Sequence, residues 1–387
     1  MTGVGLESFR AEARAWLHAN APEALCNRPD GELAPCRGGR KWVFQSDAQR
    51  TWLERMGEKG WTAPEWPKAY GGGGLTPEEA QVLRDEMQRI RVAPPLESLG
   101  IWMLGPALLH YGTEAQKRTH LPPIVRGEIA WAQGYSEPGA GSDLASLQTR
   151  AVDDGDDFIV NGSKIWTSFG DQSDWIFALV RSEPDAPKHL GITFLLIDMS
   201  DPGVSTRPIK LIAGDSPFTQ TFFDNVRVPK ANIVGARGRG WDVAKYLLQF
   251  ERQMIGSSPT ARKEGVANLA LGALGREGLA REQALRADIL QFELDAWVMA
   301  VALERSRDLA AAGELPSTLP SLLKVAGSEL KKRRVELTMS LVGVDAFDGA
   351  SRQAFDWLYA PASTIAGGSN EIQLNVLAKR ALGLPGA

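Results

Sequence analysis

The spacing of apolar positions changes twice along the chain. Up to about residue 127 it is helical, broken by strong stop signals. Trp52, Leu53 and Met56 share one face of a helix predicted over 47–59, with Ser46 as its cap and Gly60 as its end. Thr76-Pro77-Glu78-Glu79 predicts a second helix start, because a capping hydroxyl, a proline in the first turn and two acids all suit the positive helix end. The stretch 113–116, Thr through Gln, reads as a capping box for another. Between these lie a Pro-rich extended loop at 61–67 and four glycines at 71–74. The glycines lack the Lys-Ser/Thr pair of a phosphate-binding loop and are read as a turn.

After Pro122-Pro123 and Gly127 the pattern alternates and fills with Val, Ile, Thr, Phe and Trp. Strands are predicted at 157–161, 163–167, 175–181, 192–198, 205–211 and 219–228, with Asn161-Gly162 as a tight hairpin between the first two. Past Pro229 the helical period returns from Trp241, and 281–312 and 321–342 are long amphipathic runs. Ser369, after Gly367-Gly368, is expected to cap a last helix. The fold class is therefore α+β. The expected parts are an N-terminal all-α domain (1–127), a middle antiparallel β-barrel or sandwich domain (128–235) and a C-terminal four-helix bundle (236–387). A chain of 387 residues is long enough for two or three such parts.

Composition narrows the partners. Apolar residues are 43% and charged residues 23%, an ordinary globular balance, and a net charge of −4 gives no reason to expect nucleic acid or an anionic membrane. An anionic ligand must be held locally. Cys26 and Cys36 have no nearby His, and His18, His110, His120 and His189 lack ligand spacing, so neither a metal site nor a disulfide framework is expected. Charges at Glu7, Arg10, Glu12 and Arg14 argue against a signal peptide, and no apolar run is long enough to cross a bilayer. A cytoplasmic location is expected.

The segment 133–147, QGYSEPGAGSDLASL, is the most informative. Gly139, Ala140 and Gly141 let main-chain N–H groups approach an anion, and Ser136 and Ser142 offer hydroxyls. Read alone it fits an ordinary turn better than a ligand loop. About twenty residues on comes Lys164-Ile165-Trp166-Thr167-Ser168. With both segments, nearly the whole chain resembles the acyl-CoA dehydrogenase family, and most of all its pimeloyl-CoA-type and steroid side-chain subgroup. The resemblance implies FAD as cofactor. It places Gln133, Tyr135, Ser136, Gly141 and Ser142 at the isoalloxazine edge or pyrophosphate, and Trp166, Thr167 and Ser168 against the ring and its polar edge. It also places Ser369, Asn370 and Glu371 on the flavin, and Ser142, Arg252, Gly367 and Gly368 on the substrate.

Two departures from the family pattern matter. The segment 365–373, IAGGSNEIQ, resembles the loop in which many members carry a catalytic glutamate, but here that position is Gly367. Glu371 matches a helix position instead and is not given the role. Another branch takes its base from a neighbouring helix, at a position that matches Glu251 within YLLQFER (246–252). By its residues alone, a Glu beside Arg252 reads as a solvated helix charge. Set among Leu247, Leu248, Phe250 and Met254 it would be partly desolvated, which raises a carboxyl pKa and strengthens the base. The small residues at 367 and 368 keep main-chain N–H donors for a thioester oxygen and widen the pocket for a bulky acyl group.

The second departure is that region 276–286 lacks the Arg-x-x-Phe-Gly segment of homotetrameric relatives. A homo- or hetero-oligomer is implied, with part of the intersubunit clamp in doubt. The implied reaction is α,β-dehydrogenation of an acyl-CoA to the trans-2-enoyl-CoA, with the α-proton to Glu251, the β-hydride to flavin N5 and electrons on to an electron-transfer flavoprotein. Two alternatives stay open: a flavin oxidase or monooxygenase on the same scaffold, and a non-catalytic partner subunit of a heteromer.

Overall fold

A computed structural model describes residues 3–27, 35–214, 216–256, 265–347 and 351–385. These divide into two compact units, Met1–Ile209 with Pro217–Leu247, and Lys210–Ser216 with Leu248–Ala387.

The first unit begins with five helices: α1 (Gly3–Asn20), α2 (Asp47–Glu58), α3 (Pro77–Arg89), α4 (Gly105–Tyr111) and α5 (Glu114–Val125). Their starts follow from local chemistry. Ser46 accepts from the Gln49 N–H, and Thr76/Glu79 and Thr113/Gln116 form reciprocal capping boxes, each satisfying donors that a helix start leaves open. Gly60 ends α2's turn at φ +72°, a conformation that disfavours any side chain. Phe9, Leu17, Trp52, Met56, Trp61 and Leu83 fill the core between α1, α2 and α3. A wider π-type turn, Gly100–Leu104, leads into α4.

One ion cluster ties α1 to α3. Glu86, almost fully buried, accepts from Arg14 at 2.9 and 3.0 Å and from Arg10 at 3.1 Å. The Arg14 bonds, against the opposing pull of burial, hold its carboxyl down at about 2, where an ordinary one lies at 4.5. A depressed carboxyl stabilises the fold in full above its unfolded pKa and loses that contribution as pH falls through its folded one. Glu86→Gln is expected to cost on the order of 2 kcal/mol at pH 7. Chemical denaturation of both forms should show this gap closing as pH drops from 4.5 to about 2.

The rest of the first unit is a seven-stranded curled sheet: β1 (Trp131–Gly134), β2 (Arg150–Asp154), β3 (Asp157–Ser168), β4 (Trp175–Arg181), β5 (Ile192–Asp198), β6 (Val204–Ile209) and β7 (Phe218–Pro229). The order is β1-β4-β2-β3-β7-β6, with β5 also paired to β4. Most pairings are antiparallel, but β1 lies parallel to β4, a strand and a pairing that the alternation did not reveal. Phe158, Val160, Ile176, Ala178, Leu195, Ile197 and Val226 pack its interior face.

The expected hairpin at Asn161-Gly162 is not there. β3 runs straight through both residues, and the register with β7 shifts between Val160 and Gly162. Gly162 serves close approach instead: a Cβ at this position would lie 2.6 Å from Thr149 Oγ1. Asn161 clamps across the sheet, its Oδ1 accepting from the Asn225 N–H at 2.9 Å. The actual turn is Gly155-Asp156 between β2 and β3, where Asp154 pairs with Asp157 and Gly155 takes φ +62°.

Helix α6 (Gly240–Gly256) spans the division at 247/248. The second unit continues with α7 (Val266–Arg281), α8 (Gln283–Ala311), α9 (Leu319–Val342), α10 (Arg352–Tyr359) and α11 (Asn370–Arg380). Val266, Ile289, Phe292, Met299, Leu323, Leu330 and Leu337 bring α7, α8 and α9 around one core. The expected helices at 281–312 and 321–342 correspond to α8 and α9.

Candidate functional site

The structure stitches together the two segments singled out in the sequence. The Ile165 N–H donates to the Ser136 carbonyl at 2.8 Å. Beside it the Lys164 ammonium, wholly buried, donates to the Tyr135 carbonyl at 3.2 Å and to Glu137 Oε1 at 2.7 Å. Glu137 also accepts from the main-chain N–H groups of Gln148 (2.6 Å) and Thr149 (2.9 Å). One buried ion pair thus fixes both ends of the Gly/Ser-rich segment against β3. Burial lowers the Lys164 pKa to about 8, with Glu137 holding it up, so it stays charged at neutral pH. Burial pushes the Glu137 carboxyl up, but the Lys164 charge and the donors around it outweigh that and leave it below its ordinary value.

On this scaffold Trp166 is thrown outward. It takes φ +61° where the β3/β7 register shifts, a conformation costing a non-glycine residue about 1–3 kcal/mol, and the residue is 53% exposed. A large apolar side chain held partly out of the core offers a flat surface on which a ring can stack. Thr167, next to it, is fully buried, main chain included, with its Oγ1 lacking a hydrogen-bond partner, so against the expectation it presents no surface to a ligand. Ser168 is half-buried. In the other segment Tyr135 is buried, Gln133 and Ser136 are half-buried, and Gly139, Gly141 and Ser142 are exposed. A Cβ built at Gly139 or Gly141 meets nothing within 4 Å, so the turn's main chain is open to a ligand. A half-exposed indole, packed edge-to-face with Phe218, on a strand joined to an open, hydroxyl-bearing turn can take a flat ring carrying a phosphate tail.

In the second unit, Gly367 and Gly368 take φ +67° and +89°, and a Cβ at Gly368 would lie 2.5 Å from Gln373 Nε2. Ser369 caps α11, accepting from the Ile372 N–H at 3.4 Å. Asn370 turns inward: its Oδ1 accepts from Lys324 Nζ (2.8 Å) and Ser328 Oγ (3.1 Å), and its Nδ2 donates to Glu329 (2.9 Å). Buried Lys324 also donates to the Thr364 carbonyl at 3.0 Å and so pins the loop at both ends. Glu371 is exposed, its carboxyl held below the ordinary value by its own N–H and by Ser369. Glu251 lies on α6; its side chain and that of Arg252 fall outside the described residues.

The family models for the acyl-CoA dehydrogenase N-terminal, middle and C-terminal domains match residues 32–128, 132–226 and 238–382. The chain belongs to the acyl-CoA dehydrogenase family. It is 36% identical to acyl-CoA dehydrogenase IpdE1 of Mycobacterium tuberculosis, the match covering 98% of each chain. Among solved structures, the Tcur3481-Tcur3483 steroid ACAD superposes with a TM-score of 0.79 at 29% identity, over 100% of this chain and 99% of that one. The ChsE4-ChsE5 complex from Mycobacterium tuberculosis does so with a TM-score of 0.75 at 31% identity, over 100% and 99%.

This acyl-CoA dehydrogenase is thus an oxidoreductase from a family of FAD-dependent flavoproteins. Of the residues that hold the candidate loops, Glu137 and Lys324 were passed over in the sequence, and Lys164 was quoted in its motif without a role. The available signal was weak, since Glu137 shares its segment with a second acid, Asp143, and each lysine is a single charge in an otherwise mostly uncharged stretch. Among the described residues no group of His, Cys, Asp and Glu could hold a metal ion, and no helix is long and apolar enough to cross a membrane.

Proposed function

We propose that this acyl-CoA dehydrogenase holds FAD on the exposed Trp166 face and the 133–142 turn, and oxidises a CoA thioester to its trans-2-enoyl-CoA. The observation that supports the reading is the buried Lys164–Glu137 pair, which joins both segments next to the half-exposed Trp166. FAD, when bound, supplies the two-electron acceptor for the β-hydrogen. The chain's own residues do the rest. The Glu251 carboxylate takes the α-proton; the Cα–H electron pair becomes the second bond between Cα and Cβ as the β-hydrogen departs with its own pair. Main-chain N–H groups of Gly367 or Gly368 donate to the thioester oxygen while negative charge grows there, and the left-handed backbone that presents them favours glycine. Ser142 and Arg252 serve the substrate, while Ser369 and Glu371 meet the flavin and Asn370 positions them.

A bulky or cyclic acyl group suits the missing side chain at 367, in line with the steroid ACAD among the matching structures. Electrons pass to an electron-transfer flavoprotein. A second copy or a related chain covers the outward stripe of α8, where Leu290, Leu294, Trp297, Val298 and Val301 are exposed at helical spacing. Residues 1–127, 128–235 and 236–387 form the three parts. Trp166→Ala is expected to weaken FAD retention about tenfold or more, because the ring loses its stacking partner. Flavin content after gel filtration measures it; an unchanged flavin-to-protein ratio would remove the indole from the site.

A further inference from the structure

The loop that leads into α11 treats its main-chain donors and acceptors differently. The N–H groups of Ile365 and Ala366 both donate to the Ala362 carbonyl, at 3.1 and 3.0 Å. Those of Gly367 and Gly368 find no acceptor among the described residues. The carbonyls, in contrast, are held by side chains: Lys324 donates to that of Thr364 at 3.0 Å, and Gln373 Nε2 to that of Gly367 at 3.1 Å. Open N–H groups beside fixed carbonyls are what a site for a growing negative charge requires, since such donors act only if they are aimed before the reaction.

Gln373 sets that aim. It lies one turn into α11, its main-chain N–H donating to the Ser369 carbonyl, and is 5% exposed. A Cβ at Gly368 would lie 2.5 Å from its Nε2, so the amide reaches the loop only because position 368 carries no side chain. The Gly367–Gly368 peptide is trans, and a planar trans peptide carries its C=O and its N–H on opposite sides. The bond to the Gly367 carbonyl therefore fixes the peptide plane and turns the Gly368 N–H away from the Gln373 amide. Two successive glycines, at φ +67° and +89°, have the freest backbone a chain can offer, so their direction must be imposed from outside. The ends of the loop are fixed separately. Lys324 and Ser328, four residues apart on α9, both donate to Asn370 Oδ1, and Asn370 Nδ2 donates to Glu329.

We propose that Gln373 is a positioning residue for the oxidation: by holding the Gly367 carbonyl it keeps the loop's open N–H groups aimed at the thioester oxygen. The proposal rests on the dehydrogenation reading above, which supplies the thioester.

The test uses FAD-loaded wild type and two variants. Gln373→Met keeps the length and helix preference of the side chain and removes its donor; Gln373→Glu keeps its shape and puts acceptors in the donor's place. Rapid-mixing spectra give the limiting rate of flavin bleaching per bound flavin and the Kd of the acyl-CoA. Infrared difference spectra of bound trans-2-enoyl-CoA, labelled with carbon-13 at the thioester carbonyl, give the stretching frequency that hydrogen bonds to its oxygen lower. The wild type should show that frequency below the value for free thioester. Both variants should lose most of this shift and bleach about 10–100-fold more slowly, with Kd within about threefold of wild type, because the aimed donors matter most in the transition state. Flavin content and melting temperature report whether each variant has folded, and the second variant serves if the first does not fold. Variants that keep the shift, or that bleach at the wild-type rate per flavin, overturn the proposal and leave the dehydrogenation standing. A lowered flavin content with both readouts unchanged gives Gln373 a structural role only, and a wild type without the shift overturns the proposal as well. A wild type that bleaches with no thioester, yet shows a shift that both variants lose, overturns the dehydrogenation and upholds Gln373.

Discussion

Glu251→Gln is expected to retain FAD and to slow anaerobic bleaching of the flavin by acyl-CoA roughly 10²–10⁴-fold, the usual contribution of a positioned general base. The amide keeps the size of the carboxylate and removes only its affinity for a proton. The other acid suggested by the sequence is a poorer base. Glu371 is exposed in the first turn of α11, where its own N–H and Ser369 hold its carboxyl below the ordinary value. A carboxylate stabilised in that way has less affinity for an α-proton. Glu371→Gln should accordingly affect bleaching far less. Rapid-mixing spectra of both variants with one thioester make the comparison, and bleaching by Glu251→Gln at the normal rate would take the role from it.

Lys164→Met carries the largest expected cost in stability. It removes the charge that compensates Glu137 in a site closed to water, and breaking a buried pair on one side typically costs about 3–5 kcal/mol. The loss is not confined to the pair. Lys164 also donates to the Tyr135 carbonyl, and Glu137 accepts from Gln148 and Thr149, so the whole 133–149 segment loses its anchor to β3. Both the melting temperature and the FAD content should fall. Adding Glu137→Gln should return part of the stability by removing the stranded charge, while FAD content stays low. A Lys164→Met protein that melts normally and elutes fully yellow would show that the pair does not organise the site.

Local chemistry made much of the fold readable. Hydroxyl caps at Ser46, Thr76, Thr113 and Ser369 act within three or four residues, so their partners are visible in the sequence. Strands 175–181 and 192–198 were found residue for residue, because both are apolar runs bounded by turn residues. Asn161-Gly162 misled because the same dipeptide suits a tight turn and a strand bulge, and the choice depends on Thr149, a neighbour brought in by the fold. β1 and β2 both escaped, β1 because a four-residue strand in a parallel pair shows little alternation and β2 because Ala151 alone of its five residues is buried. At the site, the Gly/Ser segment and the indole were legible as motifs. What holds them was not: Glu137 meets Lys164 across 27 positions, and Lys324 meets Asn370 across 46.

The most direct measurement is the anaerobic absorption spectrum of the FAD-loaded protein, titrated with straight, branched, dicarboxylic and ring-bearing acyl-CoA thioesters. Loss of the oxidised flavin bands with at least one thioester, matched by formation of an equal amount of its trans-2-enoyl-CoA, is the predicted result. A protein that binds FAD yet keeps its oxidised spectrum with every thioester would contradict the account and point to a subunit that shapes a complex without performing the oxidation.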